Sequence, residues 1–551
     1  MRRIVILLVT TFPLLARAQQ PAFRSAELAR IDSVFSSYAA ANVPGCALGI
    51  SRRDTLILER AWGSANLEHS VPIAAGTIFE GGSVSKQFTS AAIFRLAQQG
   101  KLSLDDDIRK YVPEIPAYDA TITLRHLINH TSGLRDWGAV MSIAGWPRGT
   151  RTYTQAHVLD IIARQKALNY PVGTEYLYSN SNYNLLAMIA ERVSGKTLAE
   201  FTRQELFVPL GMTLTGWRDD FTRIVPGRAQ AYSGSGKEWR LQMPFENVYG
   251  NSSLLTTVGD LLKWNANFGQ QRLGGKDFIS MLEHRGRLKS GREIRYAGGV
   301  IVSEYGGTRE IYHDGATAGY RTFLARYPDA GYGIAMLCNA GNVNPVALAH
   351  QVMNVLLPPS KTAAAPARDT VGIAVPTGRL ASLSGFYRHT VSDEPMEIVI
   401  TNGRLRAAEG PLLIAVSERH FTTTSGRTHL VFERGAQGRR GAIRLWTDDA
   451  DTTLYVPVEA PARATSNSDY TGTFFSEEAD ATVSMIIADG KLVWFARPSN
   501  RVPLTPSYAD GFTALGNFVK FTRGTDGKVS GFNVTTGRAR NVRFERVRPP
   551  D

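Results

Sequence analysis

An α+β domain followed by two small all-β modules is the fold class that the sequence predicts, and three observations carry it. The chain has 551 residues, too many for one compact core at a usual domain size of about 150 residues. From Gln19 to about Pro359, helical and strand patterns alternate, with strand patterns at both ends and mostly helices between, as when one antiparallel sheet is completed by distant segments. Beyond Pro359 the pattern changes to short alternating strands, and it appears twice. Hydrophobic residues make up 43% and charged residues 20%, which excludes disorder, collagen and coiled coil as the main architecture. After the N-terminus no apolar run approaches the roughly 18 to 20 residues of a membrane span.

Residues 1–18 read as a signal peptide. Arg2 and Arg3 form a positive start, Ile4 to Leu15 an apolar stretch, and Ala16, Arg17, Ala18 an A-x-A cleavage site. Thr10, Thr11 and Pro13 would make a poor buried helix. The expectation is a mature protein that begins near Gln19 and is periplasmic or secreted, with cleavage after Ala18. The residue directly after that point is Gln19 and not a cysteine, which argues against a lipoprotein anchor. The formal charge of +13 falls to +10 without Arg2, Arg3 and Arg17, and most of that excess sits before Leu383. Such a surface favours anionic partners, but there is no compact Lys/Arg cluster and no nucleic-acid motif, so nucleic acid is not expected as a partner.

The α+β domain spans residues 19–360. Its helix candidates include Ala26 to Ala41 and Asn182 to Ser194, and its strand candidates Cys46 to Arg52, Thr55 to Ala61 and Thr322 to Arg326. Cys46 and Cys338 are too few for a disulfide scaffold and are not spaced for a metal, which leaves two buried thiols or one bridge. An Ala/Pro-rich linker is expected over 361–382. The β modules follow at 383–460 and 466–551. Gly385 and Gly472 lie 87 residues apart, as do Gly403 and Gly490, and Phe432 and Phe521 lie 89 apart, so the modules read as two copies of one unit.

The chemistry centres on Ser83. Apolar residues recur at Val84, Phe88, Ala91, Ala92 and Leu96 before Gly100, which predicts an amphipathic helix starting at Ser83 and closed by Gly100. Ser83 and Lys86, three apart, share one helical face. A lysine in the first turn opposes the helix dipole, which lowers its pKa and makes a neutral amine attainable beside a hydroxyl nucleophile. A capping serine and a solvated lysine fit the same two residues. Of the thirteen lysines, only Lys86 has a serine three positions earlier.

GSVSKQFTS, LRHLINHTSGL, YSNSNYNLL and HDGATAGY, in this order, resemble the serine β-lactamase and penicillin-binding-protein superfamily. The likeness is to the class C β-lactamase-like branch of esterases, D-aminopeptidases and DD-peptidases, and it covers roughly Ile31 to Leu357. It implies a β-lactamase-like catalytic domain, an antiparallel sheet flanked by helices with an all-helical part, followed by barrel-like modules. It implies a covalent acyl-enzyme on Ser83, with Lys86 and Tyr178 moving the proton. Asn180, His313, Gly315 and Ala316 would bind substrate, and the backbone N–H groups of Ser83 and Ala316 would form the oxyanion hole. Tyr249-Gly250-Asn251 and His284-Arg285-Gly286 also fit the short patterns, but the context around Tyr178 and His313 fits better. In the sheet implied by the resemblance, the strands that start at Cys46 and end at Cys338 are adjacent, which would allow a bridge.

The third element is His313-Asp314-Gly315 where class C β-lactamases carry Lys-Thr-Gly. Asp314 would repel a substrate carboxylate if it faces the site, and efficient β-lactam hydrolysis is therefore not expected. His126 and His130 are four apart, yet Leu127 stands where a zinc-hydrolase glutamate would be, so no metal and no cofactor are expected. The expected function is a secreted serine hydrolase of a small ester, D-amino-acid amide or peptide. The alternatives are an acylated penicillin-binding or sensor-type protein with little turnover, or a true β-lactamase. The expected partner is a small-molecule or peptide substrate, with cell-wall-derived peptides among the candidates. No transmembrane anchor is expected, and oligomeric state is left open.

Overall fold

The computed structural model describes residues 23–236, 238–357, 372–460 and 467–547, apart from short loop positions at 409, 425, 437–438, 448–449 and 497–499. The signal-peptide reading of 1–18 and the first part of the linker reading lie outside the described residues. The α+β domain is built on six antiparallel strands in the order Ile301–Tyr305, Thr308–Thr317, Tyr320–Tyr327, Tyr332–Cys338, Cys46–Arg52 and Thr55–Trp62. The first segment of the domain thus completes a sheet whose other strands come near its end. Strand residues alternate between faces. Ala47, Leu324, Ala335 and Leu337 pack into the large core that holds most helices, whereas Leu48, Ile50, Phe323, Ala325, Ile334 and Met336 pack on the other face. Burial on both faces explains why these strands read as continuous apolar runs. The second face is covered by the helices Ser25–Val34 and Pro345–Leu356. Cys46 pairs in register with Cys338, and the two form a disulfide, which resolves the open choice between thiols and bridge.

The helix after Ser83 differs from its expected amphipathic form. Ser83 lies in a 3-10 turn, Gly82–Val84, and the α-helix runs Ser85–Gln98 with every residue from Ser85 to Phe94 buried. Its polar face is covered and paired: Thr89 Oγ1 donates to the Gly250 carbonyl, Ser90 Oγ bonds Tyr183 Oη, and Gln87 Oε1 accepts from Trp264 Nε1. The helix is therefore central, and periodicity marked only its apolar half.

The tail forms two nearly closed, barrel-like antiparallel sheets, of eight strands (Gly385–His389 to Ala450–Pro457) and nine strands (Gly472–Ser476 to Ala539–Arg546). The repeat is physical as well as sequential. Gly385 and Gly472 both sit at positive φ, and a Cβ on either would collide with an arginine guanidinium, Arg440 or Arg546. Each arginine donates to backbone carbonyls at the start of its own module. Phe432 and Phe521 are both core residues. Part of the expected linker is packed structure: Ile373 N–H donates to the Ala415 carbonyl, and the helix Thr377–Leu383 buries Leu380 and Leu383 in the first module.

The second module is fastened to the α+β domain. Arg135 and Glu478, both buried, form an ion pair, and Arg135 also donates to the carbonyls of Arg540 and Asn541. The turn between the last two strands of this module brings Arg538 to the active-site face, where its carbonyl accepts from Asp136 N–H and Asn169 Nδ2.

Candidate active site

Ser83 stands where a strand, a tight turn and a helix meet. Gly82 has φ +51°, and a Cβ there would lie 2.7 Å from the Ala316 nitrogen; a Cβ on Gly315 would lie 2.3 Å from the Gly81 carbonyl oxygen. Only glycine at both positions lets the strand Thr308–Thr317 approach the turn this closely. Thr322 Oγ1 donates to the Gly81 carbonyl and ties the next strand to the same turn. The result brings the N–H groups of Ser83 and Ala316 to one place, as an oxyanion hole requires. The strand Thr308–Thr317 is paired on one side by Ile301–Tyr305 only as far as Tyr312. From His313 onward that edge has no strand partner among the described residues and is open to an extended substrate.

Lys86 is fully buried. Its Nζ donates to Ser83 Oγ (3.1 Å), Asn180 Oδ1 (3.0 Å) and the Asn251 carbonyl (2.7 Å). Burial pushes its pKa well below the ordinary lysine value, and the nearby cations Arg538 and Arg148 push it further, against the weaker pull of Asp136 and Asp314. None of its three partners is an anion, so a neutral amine is the form this pocket favours. Tyr178 lies with its ring 4.7 Å from Lys86 Nζ. Burial raises its pKa well above the ordinary value, opposed by Ser83 close by. Its hydroxyl has no partner among the described residues that meets hydrogen-bond geometry, but Ser83 is close enough to favour the ionised form, which places the two hydroxyls in position for proton exchange. The arrangement therefore sets a neutral amine and a protonated phenol around one hydroxyl.

Asn180 begins the helix Asn180–Ser194, and its N–H donates to Asp136 Oδ2 at 2.7 Å. His313 is buried. Its Nε2 bonds Tyr296 Oη at 3.1 Å, and desolvation lowers its pKa to about 4, with Asp314 opposing, so it is neutral at neutral pH. Asp314 alternates to the exposed side of the strand together with Ala316. The structure thus brings Ser83, Lys86, Tyr178, Asn180, His313, Gly315 and Ala316 together. His126 and His130 do not share a helical face, because the helix Leu124–Ile128 ends before His130. His130 Nδ1 accepts from Ser179 N–H, and its ring packs 4.4 Å from that of Tyr178.

Several residues escaped sequence reasoning. Asn251, in the rival Tyr-x-Asn match, supplies the shortest of the Lys86 bonds through its carbonyl. Its pattern carried a signal, but the use of a main-chain atom carried none. Asp136 and Tyr296 orient Asn180 and His313, and Arg538 places its guanidinium 4.9 Å from the centre of the Tyr178 ring. Behind the turn, buried Glu80 accepts from Arg218 through both oxygens, and Arg228 donates to the same carboxylate. A cleft of about 720 Å³ opens beside Ala316. A separate cleft of about 460 Å³, between Asp54 and Asp260, holds none of the motif residues.

The Beta-lactamase family model matches residues 31–355 of this chain. A D-aminopeptidase from Brucella anthropi is 24% identical over 538 residues, covering 92% of this chain and 96% of its own. Penicillin-binding protein 4* from Bacillus subtilis (strain 168) is 28% identical over 306 residues, 52% of this chain and 65% of its own. Among solved structures, an octameric penicillin-binding protein homologue from Pyrococcus abyssi is similar with a TM-score of 0.54 at 22% identity, over 78% of this chain and 99% of that one. A D-amino acid amidase from Ochrobactrum anthropi SV3 is similar with a TM-score of 0.51 at 20% identity, over 60% of this chain and 99% of that one. The structural likenesses concern the fold.

Proposed function

The chain belongs to the Beta-lactamase family and is a β-lactamase-related serine hydrolase, and from this premise we propose that it forms an acyl-enzyme on Ser83 with a small ester, D-amino-acid amide or peptide. The observation that carries the reading is the triple bonding of a buried, uncompensated Lys86 to Ser83, Asn180 and the Asn251 carbonyl. Neutral Lys86 takes the Ser83 proton as the hydroxyl attacks the substrate carbonyl. Tyr178 passes a proton to the leaving group and is reprotonated by the Lys86 ammonium, which returns the amine to neutrality; in deacylation the neutral amine takes a proton from the attacking water and, through Tyr178, one is returned to Ser83 Oγ. The N–H groups of Ser83 and Ala316 receive the oxyanion, and Asn180 offers its side-chain amide to the acyl amide. His313 stays neutral and, bonded to Tyr296, holds the strand edge beside Tyr178.

A D-amino-acid substrate is supported by the full-length likeness to a D-aminopeptidase, which extends across both β modules. Export to the periplasm or beyond is supported by the pattern of residues 1–18 and by the Cys46–Cys338 disulfide, which suits an oxidising compartment. A serine-reactive phosphonate followed by peptide mapping tests the nucleophile, and a panel of nitrophenyl esters, D-amino-acid anilides, DD-peptides and a chromogenic β-lactam tests the substrate class. Label should sit on Ser83, and Ser83→Ala should abolish turnover; activity surviving in that variant refutes the site.

A further inference from the structure

The cleft beside Ala316 has a charge that the proposed chemistry does not use. Its position follows from the strand Thr308–Thr317. Tyr178 packs near His313, and the residues Ala316 to Ala318 that border the cleft lie about 10 Å further along the strand. A leaving group must lie within reach of Tyr178, its proton donor. The acyl part of the substrate must then extend the other way, past the oxyanion position and into the cleft.

The cleft walls carry Arg148, Arg151 and Arg321 against one carboxylate, Glu246. Glu246 is already paired with Arg148. Arg151 is exposed and lies over the Tyr153 ring, 5.0 Å from its centre, without an ion-pair partner among the described residues. Arg321 is half-buried. Its Nη1 donates to the Ala318 and Tyr320 carbonyls, and its Nε and Nη2 groups have no partner among the described residues. Burial without a carboxylate lowers its pKa, which says that the guanidinium is partly desolvated and uncompensated. Between these cations Met243 and Phe245 supply apolar wall.

We infer that this cleft is an acyl-side subsite for a substituent bearing an anionic group, such as a carboxylate at the end of a short apolar arm, and that it disfavours a free α-ammonium. The inference deepens the function proposed above and rests on its acyl-enzyme geometry. An aminopeptidase substrate presents an ammonium at this end, where two unpaired guanidinium groups repel it. A carboxylate meets the planar fork of Arg321 and can accept two parallel N–H bonds. The enzyme's preferred substrates would then be N-acylated or acidic at the acyl end, in contrast to what the name of its full-length relative suggests.

Binding can be measured without turnover. The Ser83→Ala protein is titrated by calorimetry with three D-alanine amides: N-succinyl, which ends in a carboxylate, N-acetyl, which is neutral, and the free amine. The N-succinyl compound should bind about fivefold or more tightly than the N-acetyl one, and the free amine most weakly. Adding Arg321→Gln should bring the succinyl-to-acetyl ratio to about 1, and raised salt should shrink it. Equal affinities, tighter binding of the amine, no binding of any of the three, or a ratio that survives both Arg321→Gln and Arg151→Gln would overturn the inference. Phosphonate labelling of the unmutated protein reports separately on Ser83, so the two readings fail in different experiments.

Discussion

Replacing Lys86 by methionine asks whether the amine is neutral in the folded protein. Methionine keeps most of the length and loses the charge. In the unfolded chain lysine keeps its ordinary value of 10.5, while burial, Arg538 and Arg148 depress the folded value. Between the two, the unfolded state holds one more proton than the folded state. Stability of the unmutated protein therefore rises with pH throughout that window, by about 1.36 kcal/mol per pH unit. The sign is fixed by the direction of the shift: a buried neutral lysine costs stability below 10.5, and the cost fades as pH approaches it. The variant lacks this dependence. It also leaves Asn180 Oδ1 and the Asn251 carbonyl without their amine donor, at about 1–3 kcal/mol each, but that penalty does not change with pH. The difference in unfolding free energy should accordingly tilt toward the unmutated protein as pH rises toward 10.5, whereas the variant shows no such slope. Urea unfolding followed by tryptophan fluorescence, with Trp446 and Trp494 of the β modules replaced by phenylalanine in both proteins, reads this slope from the domain that holds buried Trp137 and Trp264. Parallel stability curves would mean that Lys86 titrates when folded as it does when unfolded, and the general-base role would fall with it. The same variant should lose a factor of about 10² to 10⁴ in kcat.

Arg538→Gln removes a cation that depresses the Lys86 pKa, so the acidic limb of the kcat/KM profile should move to higher pH, and an unmoved limb would remove Arg538 from the site's electrostatics. If the turn that carries Arg538 also limits substrate size, it does so on the leaving-group side, beside Tyr178, and Arg538→Ala should raise the ratio of rates for bulky over small leaving groups; an unchanged ratio in a folded protein excludes gating. Arg135→Ala strands Glu478 in the interface and should cost about 3–5 kcal/mol, with faster limited proteolysis of the second module as the readout. Cys46 and Cys338 should resist alkylation in denatured, unreduced protein, and replacing both by alanine should lower stability by about 2–5 kcal/mol in chemical unfolding.

What the amino-acid order determines by itself here is local or periodic. The spacing of Ser83 and Lys86 survives folding because any helix sets residues three apart on one face. Cys46–Arg52 and Thr55–Trp62 were legible as short, largely apolar runs of strand length. The module repeat was legible because the same turn glycines and core phenylalanines recur. What makes the site act is long-range. Lys86 is driven toward neutrality by desolvation and by Arg538, which arrives from the end of the chain, and spacing around Ser83 contains neither. The polar half of the Ser85–Gln98 helix read as a solvated face, yet Tyr183, Trp264 and the Gly250 carbonyl cover it. Asn251 entered the site through its main-chain oxygen, an atom every residue possesses and no motif can mark. Two cysteines 292 residues apart became a bridge only because the first and last strands of the domain share one sheet. Pattern records which face a residue presents; charge state and partner are set by what the rest of the chain packs against that face.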